Sequence, residues 1–243
     1  MRAPSATELL GLWERGLGQS PGQRALALLT LACGETPTEQ LAQLSAGQRD
    51  EHLLTLREST FGTQFSGLAN CPACGERLEI NFTASDIRVS PGAQPPEQFT
   101  LELAGCAVHF RLPNSLDLAN LTTDAELAAN RQRLLERCVL SSKCGQQEIL
   151  PSELPEEVVC AMAQIMDRAD PQAVMQLVMT CPQCRHDWRA ALDFASFFWS
   201  EIHAWAVRLL REVHMLASAY GWREADILAL SPWRRQAYLE MLH

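Results

Sequence analysis

The sequence predicts an α+β fold, mostly helical, internally duplicated around one zinc site and followed by a C-terminal helical module. Three observations carry that reading. Two Cys-Pro-x-Cys knuckles, Cys71-Pro72-Ala73-Cys74 and Cys181-Pro182-Gln183-Cys184, stand 110 residues apart. Features flanking them recur in the same order at nearly that offset. After Asp193 the pattern changes to long helical periodicity without an earlier counterpart.

A two-residue gap lets a tight turn aim both sulfurs of a knuckle at one point. Two such turns supply the four thiolates that a tetrahedral structural zinc requires. A lone CxxC also serves thiol redox chemistry, so the matched pair is the more specific signal. Two metal-free turns, or one disulfide within each knuckle, are the alternatives. A compact zinc ribbon separates its pairs by roughly 15–20 residues, whereas more than a hundred lie between Cys74 and Cys181. Such a gap requires either an inserted domain or a duplication in which each copy donates one knuckle.

The flanks favour duplication. Leu78, Ile80 and Phe82 align with Trp188, Ala190 and Leu192, and both runs alternate as half-buried strands do. Leu44, Leu56, Phe65 and Leu68 align with Leu154, Met166, Met175 and Val178. Near the start, Arg2-Ala3-Pro4-Ser5 aligns with Arg111-Leu112-Pro113-Asn114. The expected units are a first repeat at 1–90, a linker hairpin at 91–110, a second repeat at 111–197 and the helical module at 198–243.

Taken in order, residues 5–16 read as an amphipathic helix capped at Ser5 or Thr7. Ser20-Pro21 starts a more buried helix over 21–33, and Thr36-Pro37 a short one. Ser45 to Arg57 continues in helical period. Residues 77–83 read as a strand, with Asp86–Val89 as its extension. Ser90–Pro96 is the clearest loop. Phe99–Leu103 and Ala107–Leu112 alternate like a hairpin turning near Gly105. Asp117–Leu121 and Asp124–Leu140 read as helical, 145–150 as extended, 156–168 as helix and Val174–Thr180 as extended. Phe194–Tyr220 is one long helix stopped at Gly221. Trp222–Leu230 is a short helix, and Ser231-Pro232 caps a last one running to Leu242.

The chain has 243 residues, 47% hydrophobic and 20% charged, which is ordinary for a soluble globular protein. It contains no apolar run long enough for a membrane span. Glu8 and Glu14 interrupt the N-terminal apolar pattern, so no signal peptide is expected. Nine cysteines is an odd number and argues against a complete disulfide framework. With four on zinc, Cys33, Cys106, Cys138, Cys144 and Cys160 are expected to be small buried hydrophobes in a reducing, cytoplasmic compartment. A net charge of −9 argues against a surface built to grip nucleic acid. Lys143 is the single lysine, so exposed basic contacts are arginine contacts, able to pair bidentately.

No phosphate-binding glycine loop, HExxH or GxSxG is present. A four-thiolate site also has no open coordination position, so the chain is not expected to be an enzyme. His186 is a candidate substitute for one thiolate. His203 and His214 read as interface histidines. In the tail, Trp222, Trp233, Arg234, Arg235 and Tyr238 are candidate partner contacts, because aromatics with arginine are the composition of interface anchors. Burial of the aromatics within the module is the rival reading. The tail also has a helix-turn-helix outline with Arg234 and Arg235 at the start of the last helix. Two arginines on an acidic chain are a thin nucleic-acid footprint.

Several stretches resemble one family: Leu210–Ala217, Tyr220-Gly221-Trp222, Asp226–Pro232 and Arg234–Leu239, with Arg24-Ala25-Leu26, Leu54 to Arg57-Glu58, Phe61-Gly62 and both knuckles upstream. Together they resemble the T-even-type phage baseplate family, whose members include hub assembly chaperones and relatives in contractile injection systems. The resemblance implies phage tail or baseplate partners and a cytoplasmic or particle-associated location. It supplies no catalytic residues. The expected roles are an assembly factor or adaptor, or a structural subunit kept in the particle; a zinc-containing nucleic-acid regulator stands outside the resemblance.

Overall fold

Ser5 and Ser20 start the first two helices. Each hydroxyl accepts from the N–H three residues on, and Glu8 and Gln23 reach back to the cap N–H. This reciprocal capping satisfies donors that a helix start leaves orphaned. The computed structural model describes residues 3–89, 95–119, 121 and 126–242. It places α1 at Ala6–Gly16, α2 at Pro21–Ala32, α3 at Thr38–Gln43 and α4 at Ala46–Phe61. A hairpin of β1 (Gln64–Asn70) and β2 (Arg77–Thr83) follows, then a single turn, α5 (Ala84–Ile87). That turn replaces the expected strand extension, because Asp86 reaches back to the Thr83 N–H and starts a helix there.

The middle of the chain holds β3 (Phe99–Leu103), β4 (Cys106–Phe110), α6 (Ser115–Leu118), α7 (Leu127–Cys138), β5 (Val139–Cys144), β6 (Gln147–Glu148) and α8 (Glu156–Ala169). Residues 90–94 of the expected loop, and the helix start expected at Asp124, lie outside the described residues. The hairpin expected as a linker is half of a four-stranded antiparallel sheet, β3-β4-β5-β6. Residues 139–144 pair with β4 instead of continuing α7. Val108 and Phe110 pack on Val158 and Met162 of α8, giving this sheet its own core.

The chain ends with β7 (Gln176–Thr180), β8 (Asp187–Ala191), α9 (Phe194–Tyr220), α10 (Glu224–Leu228) and α11 (Pro232–Glu240). Asp193 caps α9, and Gly221 ends it in the left-handed conformation at φ 67°. The buried stripe of α9 runs Phe194, Phe198, Ile202, Leu209, Val213, Leu216 at helical spacing. Its first half is the centre of the main core, among Leu12, Leu28, Leu29, Leu53, Leu54 and Phe65. Its second half packs on Ile227 and Leu239. The boundary expected at residue 198 therefore falls inside one helix, and the tail is continuous with the core.

Two arginines fasten the first half of α9. The Arg57 side chain, 3% exposed, donates to Glu201 at 2.9 and 2.6 Å and to the Gly62 carbonyl, and lies 3.7 Å over the Phe65 ring. Arg24 stacks 4.7 Å from the Trp199 ring and donates to the Gly16 carbonyl at 2.8 Å. Gly16 has to lack a side chain, since a Cβ there would meet Trp199 at 2.2 Å.

Asp117, with its side chain wholly buried, accepts from Arg111 and Arg137 and thereby ties α6 to β4 and the end of α7. Burial pushes its carboxyl up. Hydrogen bonds from Arg111, the Asn114 N–H and Arg137, with the Arg111 charge, outweigh that and hold it below the usual carboxylate range. Across the halves, the Gly47 N–H in the first turn of α4 donates to the Asp170 carboxylate at 2.9 Å. Gln172 imitates a strand neighbour, donating to the Ile87 carbonyl at 3.1 Å and accepting from the Val89 N–H at 2.7 Å.

Candidate metal centre

Both knuckles form the same local structure. In the first, the Gly75 N–H donates to the Cys71 carbonyl at 2.9 Å and the Cys71 N–H to the Glu76 carbonyl at 2.8 Å. In the second, the Arg185 N–H donates to the Cys181 carbonyl at 2.9 Å and the Cys181 N–H to the His186 carbonyl at 2.9 Å. Gly75 and Arg185 both sit at positive φ, 76° and 57°. This turn directs two sulfurs out of the end of a hairpin, β1–β2 in one case and β7–β8 in the other.

The two hairpins meet through their inner faces. Ala69, Leu78 and Ile80 pack with Leu177, Met179, Trp188 and Ala190 around Cys71 and Cys181. This alternation is the one expected from the sequence, and it brings the knuckle ends together.

All four sulfurs, of Cys71, Cys74, Cys181 and Cys184, lie within 4.8 Å of one another. The pairs Cys71–Cys184 and Cys74–Cys181 are each 3.6 Å apart. A tetrahedral centre with metal–sulfur bonds of ~2.3 Å has sulfur–sulfur edges of about 3.8 Å. The set therefore has the size and donor chemistry to take one thiophilic ion. Cys71 and Cys181 are buried, while Cys74 and Cys184 are exposed. His186 is not among the four; its ring stacks on Trp188 and its carbonyl serves the knuckle turn.

Two of the knuckle thiols are shifted in opposite directions. Burial pushes Cys71 up, but N–H groups of Cys74 and Ala73 and the thiols of Cys74 and Cys184 bring it down to about 6. The Glu76 N–H favours a thiolate at Cys74. The neighbouring sulfurs of Cys184, Cys71 and Cys181, with burial, override it and push Cys74 up to about 12.

The other candidates fall in two groups. Trp233 is 81% exposed and Arg234 lies beside it on the surface. Arg235 is a correction: its guanidinium is buried, donating to Glu212 at 3.0 Å and to the Leu230 carbonyl at 2.8 Å. It occupies the helix face turned toward α9. Trp222 and Tyr238 are half-buried and pack on each other and on Tyr220.

The spare cysteines divide as well. Cys138 is buried, and burial is the main cause pushing its thiol up to about 11. Cys160 is exposed. Cys106 and Cys144, expected as separate reduced thiols, form a disulfide, because the β4–β5 register makes them direct partners. The signal was present in Gly105-Cys106 and Lys143-Cys144-Gly145, two turn glycines each beside a cysteine.

Fold and site together define an α+β protein whose two β-hairpins, remote in sequence, are brought together at a four-cysteine cluster. The family model described as T4 bacteriophage base plate protein matches residues 19–199, and the chain belongs to that family. No curated protein and no solved structure matches the chain significantly. The matched span contains both knuckles and Arg57, but stops before Glu201 and the tail aromatics.

Proposed function

We propose that this protein is a non-enzymatic assembly factor or adaptor for the baseplate or hub of a contractile phage tail or phage-like injection system, with zinc in the four-cysteine cluster. Family membership supports the setting. The observation that carries the mechanical role is the convergence of four thiols from two hairpins. Four thiolates in a closed tetrahedral arrangement suit zinc, which needs no redox change and here has no open position for substrate. The ion would make one rigid unit of the hairpins, and the alike knuckles are read as the surviving core of a duplication.

The rigid unit then presents the last three helices to a tail protein. Trp233 and Arg234 are the anchors, exposed on α11, with Trp222 and Tyr238 forming an aromatic support beside them. A second reading, a subunit retained in the finished particle, is favoured by the family's description as a base plate protein. Mass spectrometry and zinc analysis of purified assembled tails separate the two. Absence from tails, with binding to a tail subunit in lysate, is the expected result for an assembly factor. A fixed stoichiometry in tails would replace it with the subunit reading. A chain that binds no tail protein in either fraction would overturn both.

A further inference from the structure

We propose that Cys106 and Cys144 are a reversible thiol–disulfide pair, open in a reducing compartment and closed by a disulfide oxidant after the chain has folded. The placement rests on the sheet. Cys106 and Cys144 are direct partners in the β4–β5 ladder, which continues through Val108↔Ser142 to Phe110↔Val139. The Gly145 N–H also donates to the Gly105 carbonyl at 2.8 Å, closing the end of the ladder beyond the sulfurs. Backbone pairing therefore holds the sulfurs opposite each other whether or not they are bonded. Cys106 is 4% exposed and lies in the Val108–Phe110–Val158 core, an environment that suits a protonated thiol as well as a disulfide. Cys144 is half-buried, which makes it the more accessible residue of the pair.

The chemistry follows from that asymmetry. The Cys144 thiolate attacks glutathione disulfide, forming a mixed disulfide and releasing one glutathione thiolate. The Cys106 thiolate, already opposite, attacks the Cys144 sulfur and expels the second glutathione. Two protein thiols and one glutathione disulfide become one protein disulfide and two glutathiones, and the two protons pass to the released thiolates. The closed bond spans a sequence separation of 38, so it encloses α6 and α7, with Arg111, Asp117 and Arg137 all inside the loop. The four knuckle cysteines have different partners, and the pair can close without drawing on them.

The test uses the full chain, purified reduced and loaded with zinc. It is equilibrated across ratios of reduced to oxidised glutathione, then unfolded with chelator and N-ethylmaleimide, and its mass measured. The nine labels of the reduced chain should fall to seven. Peptide mapping should place the loss at Cys106 and Cys144. Zinc, followed in parallel with a colorimetric chelator, should stay bound. Dithiothreitol without denaturant should restore nine labels, and closure should raise Tm by about 5 °C or more. Cys144→Ala should keep its fold and lose the two-label fall. Nine labels at every ratio would overturn the proposal. So would loss at the knuckle cysteines with zinc release, or a bond that opens only in denaturant.

Discussion

Replacing Arg57 with alanine tests whether the long helix α9 is fastened to the hairpins or merely lies against them. The guanidinium is nearly inaccessible and makes two bonds to Glu201, one to the Gly62 carbonyl and a stacking contact on Phe65. Alanine leaves a carboxylate without its cation, a carbonyl without its donor and a void beside an aromatic ring. Breaking a buried pair by removing one partner costs about 3–5 kcal/mol. The Glu201 side chain is 21% exposed, so water relieves part of that, and the lower end of the range applies. For a chain of this size each kcal/mol shifts Tm by roughly 2–4 °C, which gives a fall of about 6–12 °C. Thermal unfolding followed by circular dichroism, with zinc in excess, isolates this from metal loss. Arg57→Met with Glu201→Gln should recover part of the loss, since an uncharged pair leaves no orphan charge. A single Arg57→Ala variant melting within about 2 °C of the parent would refute the reasoning.

Four other outcomes follow from named contacts. Chelation, or Cys181→Ser at a fully buried ligand position, should loosen the whole protein, since a structural zinc contributes about 10 kcal/mol or more when its site forms on folding; an unchanged melting curve with chelator would remove the zinc reading. Asp117 is held below its unfolded value, so its contribution is present above about pH 4 and is lost as pH falls through the folded pKa; Asp117→Asn should flatten the acid limb of a stability–pH curve measured by denaturant titration. Gly16→Ala should cost about 1–3 kcal/mol by displacing Trp199, visible as a shift in tryptophan emission together with a lower Tm. Trp233→Ala and Arg234→Ala should leave Tm within about 1 °C while weakening capture of a tail protein, whereas Arg235→Ala should lower Tm because its bonds to Glu212 and Leu230 are internal.

What was readable from the sequence was whatever local rules decide. The serine caps, the left-handed stop at Gly221, the 77–83 strand and the knuckle spacing each depend on a few adjacent residues, and each is found in place. The four cysteines were legible for the same reason, because their spacing states a turn and their number states a coordination shell. The choice of partner element was less accessible. Residues 99–110 read as a free hairpin because alternation shows two faces but not which strand lies at the edge; pairing with 139–144 depends on a strand after a helix whose polar surface hides its end. Arg234 and Arg235 are adjacent and chemically identical, yet a helix turns them about 100° apart. Only the position of α9 decides that one is buried and the other is not.

The same dependence supports the proposal that the four-cysteine cluster acts as a joint. Each knuckle carries its own backbone turn bonds, the same pair in both. Each hairpin has only two strands, and an isolated two-stranded hairpin is marginal in water. What the four sulfurs add is the link between hairpins: the Cys71–Cys184 and Cys74–Cys181 contacts, each 3.6 Å, both cross from one hairpin to the other. The hairpins in turn are continuous with α4 and α9, through Gly62 at one end and Leu192 and Asp193 at the other. An ion at the sulfurs and the Arg57–Glu201 pair therefore close the same mechanical loop from opposite ends. Loss of either should loosen the relation of α9 to the hairpins, and with it the placement of the exposed Trp233 and Arg234 surface.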